Sequence, residues 1–139
     1  MSRRVAREKA LQALFQIDLV GADTEAALTY VLEVSSLEEK DREFAASLVR
    51  GVLAHQQECD QYIARYARQW ELDRLANVDK NILRLALFEM KYLLEIPHSV
   101  SINEAIELAK AFSSDASARF INGLLDSALK QEIAVNTEG

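Results

Sequence analysis

The chain has 139 residues, half of them hydrophobic and 27% charged, with a formal net charge of -6. That is enough for one domain with a sizeable core and too little for a catalytic domain plus an accessory one, and it excludes wholesale disorder. One proline and four glycines leave little punctuation for strands and hairpins, while abundant alanine, leucine, glutamate and arginine favour helix, so an all-α domain is expected.

Ser2 can cap a first helix running to about Val20, where Gly21 offers a left-handed stop. Ala6, Ala10, Ala13, Leu14 and Ile17 form its inward stripe, small enough to admit a close neighbour, and Leu11 and Phe15 stand off that stripe on the side of Arg4. Asp23 or Thr24 opens a second helix to about Ser35, with Ala27, Leu28, Val31 and Leu32 inward. Ser36 and Glu39 have the S-x-x-E spacing of a capping box, which predicts a third helix from that point with Phe44, Ala45, Leu48, Val49 and Val52 facing the core. Ile63, Tyr66, Ala67 and Trp70 suggest a fourth helix between His55 and Trp70, and Leu72 to Asn77 reads as a turn.

From Asp79 to Glu95 the apolar residues run nearly all round the helix, the mark of a central, buried element that Ile96-Pro97 is expected to end. Ser101 and Glu104 repeat the capping-box spacing. Ile102, Ala105, Ile106, Ala109 and Phe112 then make a stripe opposite Asn103, Glu107 and Lys110. In the last helix Phe120, Ile121, Leu124, Leu125 and Ala128 share a face opposite Arg119, Asn122 and Asp126. Gly123 lies between them at a cost of ~1 kcal/mol relative to alanine, which implies close approach by something else. Val135 to Gly139 reads as a frayed tail. The sum is a compact bundle of about seven helices, or two subbundles sharing the Asp79 to Glu95 helix.

The negative total argues against indiscriminate binding of polyanions, yet Arg3, Arg4, Arg7 and Lys9 crowd the first ten residues with Glu8 as the only acid among them. Cations at a helix N-terminus oppose its macrodipole by ~0.3–1 kcal/mol each at low salt. The bland reading is a solvated helix end. An external polyanion accounts better for three arginines kept where they disfavour the free protein, and the guanidinium fork suits phosphate. Lys110, Phe112, Arg119, Phe120 and Asn122 combine cations, aromatic rings and an amide, the group types with which proteins hold single-stranded RNA. Taken singly, each phenylalanine ends an apolar stripe, for which core packing is the better explanation; their grouping beside the cations is what favours the binding reading. No G-x-S-x-G, P-loop, dinucleotide fingerprint or triad spacing occurs, so no catalytic residues are expected. Cys59 is the single cysteine and His55 and His98 the two histidines, so neither a disulfide, a metal site nor a cofactor is expected. No apolar run nears the ~18 residues of a bilayer span and the N-terminus lacks a signal-peptide core, which makes the cytoplasm the expected location, without membrane contact.

Three segments carry more as literal text. Arg4-x-x-Arg7-Glu8-x-Ala10-x-Gln12-Ala13-Leu14-Phe15, then Val78-Asp79-x-x-Ile82-Leu83-Arg84-Leu85-Ala86-x-x-Glu89, and finally Ser101 to Lys110 followed by Arg119 to Asp126 span most of the chain. In that order they resemble the NusB family of bacterial transcription antitermination and ribosomal-RNA synthesis factors. The resemblance implies two small packed bundles, one RNA-binding domain over residues 1–139, and no enzymatic activity. It further implies recognition of single-stranded boxA RNA in nascent ribosomal RNA, together with the ribosomal protein NusE, within the transcription elongation complex. RNA would be held by Arg3, Arg4, Arg7, Lys110, Phe112, Arg119, Phe120 and Asn122. Phe15, Asp79 and Glu89 match motif positions of the helices that hold NusE in the family, and Leu11 beside Phe15 would add to the apolar centre of that interface. One departure stands out: relatives often have an acid directly before the serine of the last loop, where this chain has Asp115-Ala116-Ser117. The rival reading is a helical protein-binding adaptor, or a homodimer covering the Phe15 face with its own copy.

Overall fold

The computed structural model describes residues 2–67 and 75–133, and among them every regular element is helical. In order these are α1 (Ser2–Val20), α2 (Thr24–Glu33), α3 (Glu39–Ala54), α4 (Gln56–Tyr66), α5 (Asn77–Tyr92), α6 (His98–Phe112) and α7 (Asp115–Ala128), which runs on into one π-helical turn, Leu129–Ile133. The side-chain cap expected at Ser2, Trp70, the Leu72 to Arg74 part of the expected turn and the Val135 to Gly139 tail lie outside the described residues. No helix of the described residues is long and apolar enough to cross a membrane.

The chain divides into two compact units, Met1–Ala54 and His55–Gly139. In the first, α1 packs against both α2 and α3. Ala6, Ala10 and Ala13 are fully buried, as a stripe of small residues admitting a close neighbour requires. The helix ends are those the sequence predicts: Gly21 has φ +69° and donates its N–H to the Ile17 carbonyl at 3.0 Å, and the Asp23 carboxylate accepts the Ala26 N–H at 3.1 Å to cap α2.

The second unit is built around α5. From Asn81 to Met90 every residue is buried, and within this unit the helix packs against α4, α6 and α7. Its polar residues are answered from three sides. Arg84 donates from Nε and Nη2 to the two Asp60 oxygens of α4, at 2.7 and 2.9 Å. Glu89 Oε1 accepts the Ser101 hydroxyl of α6 at 2.9 Å, and Asp79 Oδ2 accepts the Ser117 hydroxyl of α7 at 2.8 Å. Buried polar groups need such partners, so these three pairings set the register of the neighbouring helices alongside the apolar packing.

Both capping-box readings are corrected by the structure. Helix α3 starts at Glu39, three residues later than expected, because the Glu38 carbonyl accepts the N–H groups of Asp41 and Arg42, each at 3.0 Å. Helix α6 starts at His98, three residues earlier, with Pro97 at the cap position and its carbonyl accepting the Val100 N–H at 3.0 Å. Ser101 therefore lies inside the helix, and its hydroxyl serves Glu89. Helix α5 stops at Tyr92, short of Ile96-Pro97, so that the proline opens α6 and does not close α5.

Burial pushes the Cys59 thiol up to about 12, with Glu58 and Asp60 adding to the effect, and the thiol donates weakly to the Arg84 carbonyl. Hydrogen bonding to Glu58 raises the Tyr92 phenol to about 12, and desolvation with a bond to Glu132 raises that of Tyr66 to about 12. Above the ordinary values of these groups the unfolded chain releases protons that the folded chain retains, so stability should fall as pH rises from about 9 towards 12. Chemical denaturation over that range checks the direction. Asp60→Ala leaves the Arg84 guanidinium buried without its carboxylate and should cost about 3 kcal/mol, measured by urea unfolding. Removal of Glu25, whose pair with Arg50 lies in solvent, should leave stability unchanged within error.

Candidate functional site

In the second unit, α6 and α7 form an open depression of about 440 Å³ lined by Ile106, Lys110, Asp115, Ala118, Arg119 and Asn122. The sequence places these groups at the end of one helix and the start of the next, and the loop between them makes them converge. Ser114 caps α7 by accepting the Ser117 N–H at 3.0 Å, while Ser113 and Ser114 both donate to the Ser117 hydroxyl, at 2.9 and 3.1 Å. Ser117 in turn donates to Asp79, so the first turn of α7, which carries Asp115 and leads into Arg119, is tied to α5.

Lys110, Arg119 and Asn122 are exposed, and among the described residues none of them is tied to another side chain by an ion pair or hydrogen bond. Two cations and an amide thus surround one concavity with their donors unspent. Phe112, 41% exposed, ends α6, and Phe120 is half-buried on α7. The buried stripe of α7 runs through Ala118, Ile121, Leu124, Leu125 and Ala128, which leaves Phe120 at its edge instead of on it. Gly123 is exposed, and a Cβ added there would meet nothing within 4 Å. The close approach its presence implied is therefore not made by the described residues of this chain.

In the first unit Arg3 and Arg4 are exposed on the opening turns of α1, but Arg7 is only 5% exposed. The expectation that Arg7 contacts phosphate directly is corrected: its guanidinium lies inside, 5.4 Å from the Phe44 ring centre. Arg3 covers the same ring at 3.8 Å. Phe44 was legible only as a core position of α3, because its contact with two arginines of α1 is made across two helices.

The expected partner face is corrected in three places. Leu11 is buried at 3% exposure in the core. Glu89, at 2%, is engaged by Ser101, and Asp79, at 8%, is engaged by Ser117, its Oδ1 atom buried with no hydrogen-bond partner. These acids hold helices together; of the four residues, Phe15 alone keeps part of its side chain in solvent. The role of Ser117 and the acid at the rim, Asp115, were not singled out by the sequence as site residues, although the run Ser113-Ser114-Asp115 before α7 carries the capping signal.

Comparison with known proteins gives a consistent result. The profile of the NusB family matches residues 4–130. The transcription antitermination protein NusB of Bacillus subtilis (strain 168) is 51% identical over 133 residues, covering 96% of this chain and 98% of that protein. Among solved structures, T. maritima NusB superposes with a TM-score of 0.88 at 36% identity, covering 99% of this chain and 97% of that one. The antitermination factor NusB, solved with NusE in complex with dsRNA, gives 0.85 at 27% identity, with 93% and 96% covered.

Because the space around Gly123 is open, Gly123→Ala should stabilise the free protein by about 0.5–1 kcal/mol. Urea titration of the two proteins checks this; destabilisation would mean that the position is crowded.

Proposed function

The chain belongs to the NusB family, and from that premise we propose that it is a non-enzymatic, RNA-binding antitermination factor. It recognises boxA-type single-stranded RNA of the nascent ribosomal transcript together with NusE, and acts in the cytoplasm within the elongation complex. The observation that supports this reading best is the depression between α6 and α7, where Lys110, Arg119 and Asn122 present unpaired donors to one space. Cations track a ribose-phosphate backbone, while an amide and a neighbouring ring such as Phe112 or Phe120 address the bases of an unpaired strand. Arg3 and Arg4 supply a second cationic site on the first unit, with Arg7 behind them.

The acidic total of -6 opposes a strand over most of the surface, so the chain alone should bind RNA modestly and NusE should raise the affinity. Partner contact falls to the exposed part of the Phe15 region, with Asp79 and Glu89 shaping the central helix from within. The mixed NusB–NusE–RNA assembly among the structural neighbours is in keeping with this division of labour.

A labelled boxA RNA titrated against the purified chain, with and without NusE and with a scrambled RNA as control, tests the proposal. Lys110→Ala together with Arg119→Ala should weaken binding at least tenfold. If each residue neutralises one phosphate, the pair should also reduce the magnitude of the log–log salt slope by about 1.4, from ~0.7 per phosphate on a single strand. Equal binding of boxA and scrambled RNA, in the presence of NusE, would refute it.

A further inference from the structure

We propose that Phe44 is a positioning residue for RNA: its ring is a shelf that holds the Arg3 guanidinium oriented but not neutralised, ready for a backbone phosphate. This rests on the RNA-binding reading above and adds a residue and a mechanism to it. Phe44 is 8% exposed on α3, and Arg3 sits over its ring at 3.8 Å from the centroid. Arg3 is otherwise exposed, and among the described residues it has no carboxylate partner.

The manner of restraint matters. A carboxylate would also fix the guanidinium, but by occupying its N–H donors and cancelling its charge. An aromatic face engages the flat face of the guanidinium instead, leaving the N–H edge that binds phosphate bidentately. Arginine loses rotamer freedom on ordering, and a side chain already held by a ring has less left to lose when the strand arrives. Arg7, 5.4 Å from the same ring centre and almost fully buried, approaches the ring from within and leaves its solvent side to Arg3.

A double-mutant cycle on the full chain separates positioning from general stability. With a labelled single-stranded boxA RNA as probe, Phe44→Leu should weaken binding about two- to fivefold, the size of one exposed cation–π contact. Phe44→Tyr, which keeps the ring, should restore it. In an Arg3→Ala background Phe44→Leu should have no further effect. An equal effect in both backgrounds, or none in the wild-type background, overturns the proposal while leaving RNA binding itself intact; a wild-type chain that ignores the RNA, alone and with NusE, overturns both. Should Phe44→Leu fail to fold, the ring-current shift of the Arg3 side-chain N–H in the wild-type protein decides instead. The shift should be present in the free protein and persist on RNA addition, and its absence from both states is the contrary result.

Discussion

A helix buried along its length must have every polar side chain answered by a neighbour, and that constraint organises the second unit. Helix α5 meets it with a polar pairing to each of the three helices around it: Arg84 with Asp60 on α4 through two bonds, Glu89 with Ser101 on α6, and Asp79 with Ser117 on α7. Apolar packing alone tolerates small slides of one helix along another, whereas a misplaced polar partner leaves a desolvated group unpaired at a cost of ~1–3 kcal/mol, more when it is charged. The three pairings therefore favour one register over the small slides that apolar packing alone would tolerate.

That register has a functional consequence. Ser117 is bonded at once to Asp79 and to the two serines that precede α7, so the position of the α5 N-terminus fixes where α7 starts. The start of α7 in turn decides where Arg119 and Asn122 stand relative to Lys110 on α6. Acids that look like surface recognition elements in the sequence thus act from within, by setting the geometry of the residues proposed to meet the strand. The first unit follows a parallel logic with different chemistry, since Phe44 restrains Arg3 by its ring face and spends none of the guanidinium's donors.

Much of this was legible in the sequence, and the exceptions have physical causes. The stop at Gly21, the Asp23 cap and the all-round burial of α5 follow from local backbone preference and apolar periodicity, which are properties of contiguous residues. The capping-box spacing at Ser101 misled because the same hydroxyl that can cap a helix can satisfy a buried carboxylate, and only the tertiary fold decides between them. Ile96-Pro97 has the look of a stop in the sequence and serves as a start in the fold, since proline fits the opening of a helix as well as it ends the one before. Helical spacing brought Arg3, Arg4 and Arg7 to one end of α1, but it holds no record of which neighbour covers Arg7. Lys110, Arg119 and Asn122 are legible because they combine cations and an amide beside two aromatic residues, the group types that hold single-stranded RNA, whereas the bond from Ser117 to Asp79 joins residues 38 apart and leaves no local trace.

The central claim is that unpaired donors gathered by the α5 register receive the RNA strand. Its most direct test is an amide chemical-shift titration of the labelled protein with unlabelled single-stranded boxA RNA. The account predicts the largest shifts at Lys110, Ser117, Arg119, Asn122 and Gly123, with a second group at Arg3 and Arg4. Shifts confined to other surfaces, such as the exposed faces of α2 and α4, with these residues unmoved at saturation, would contradict it.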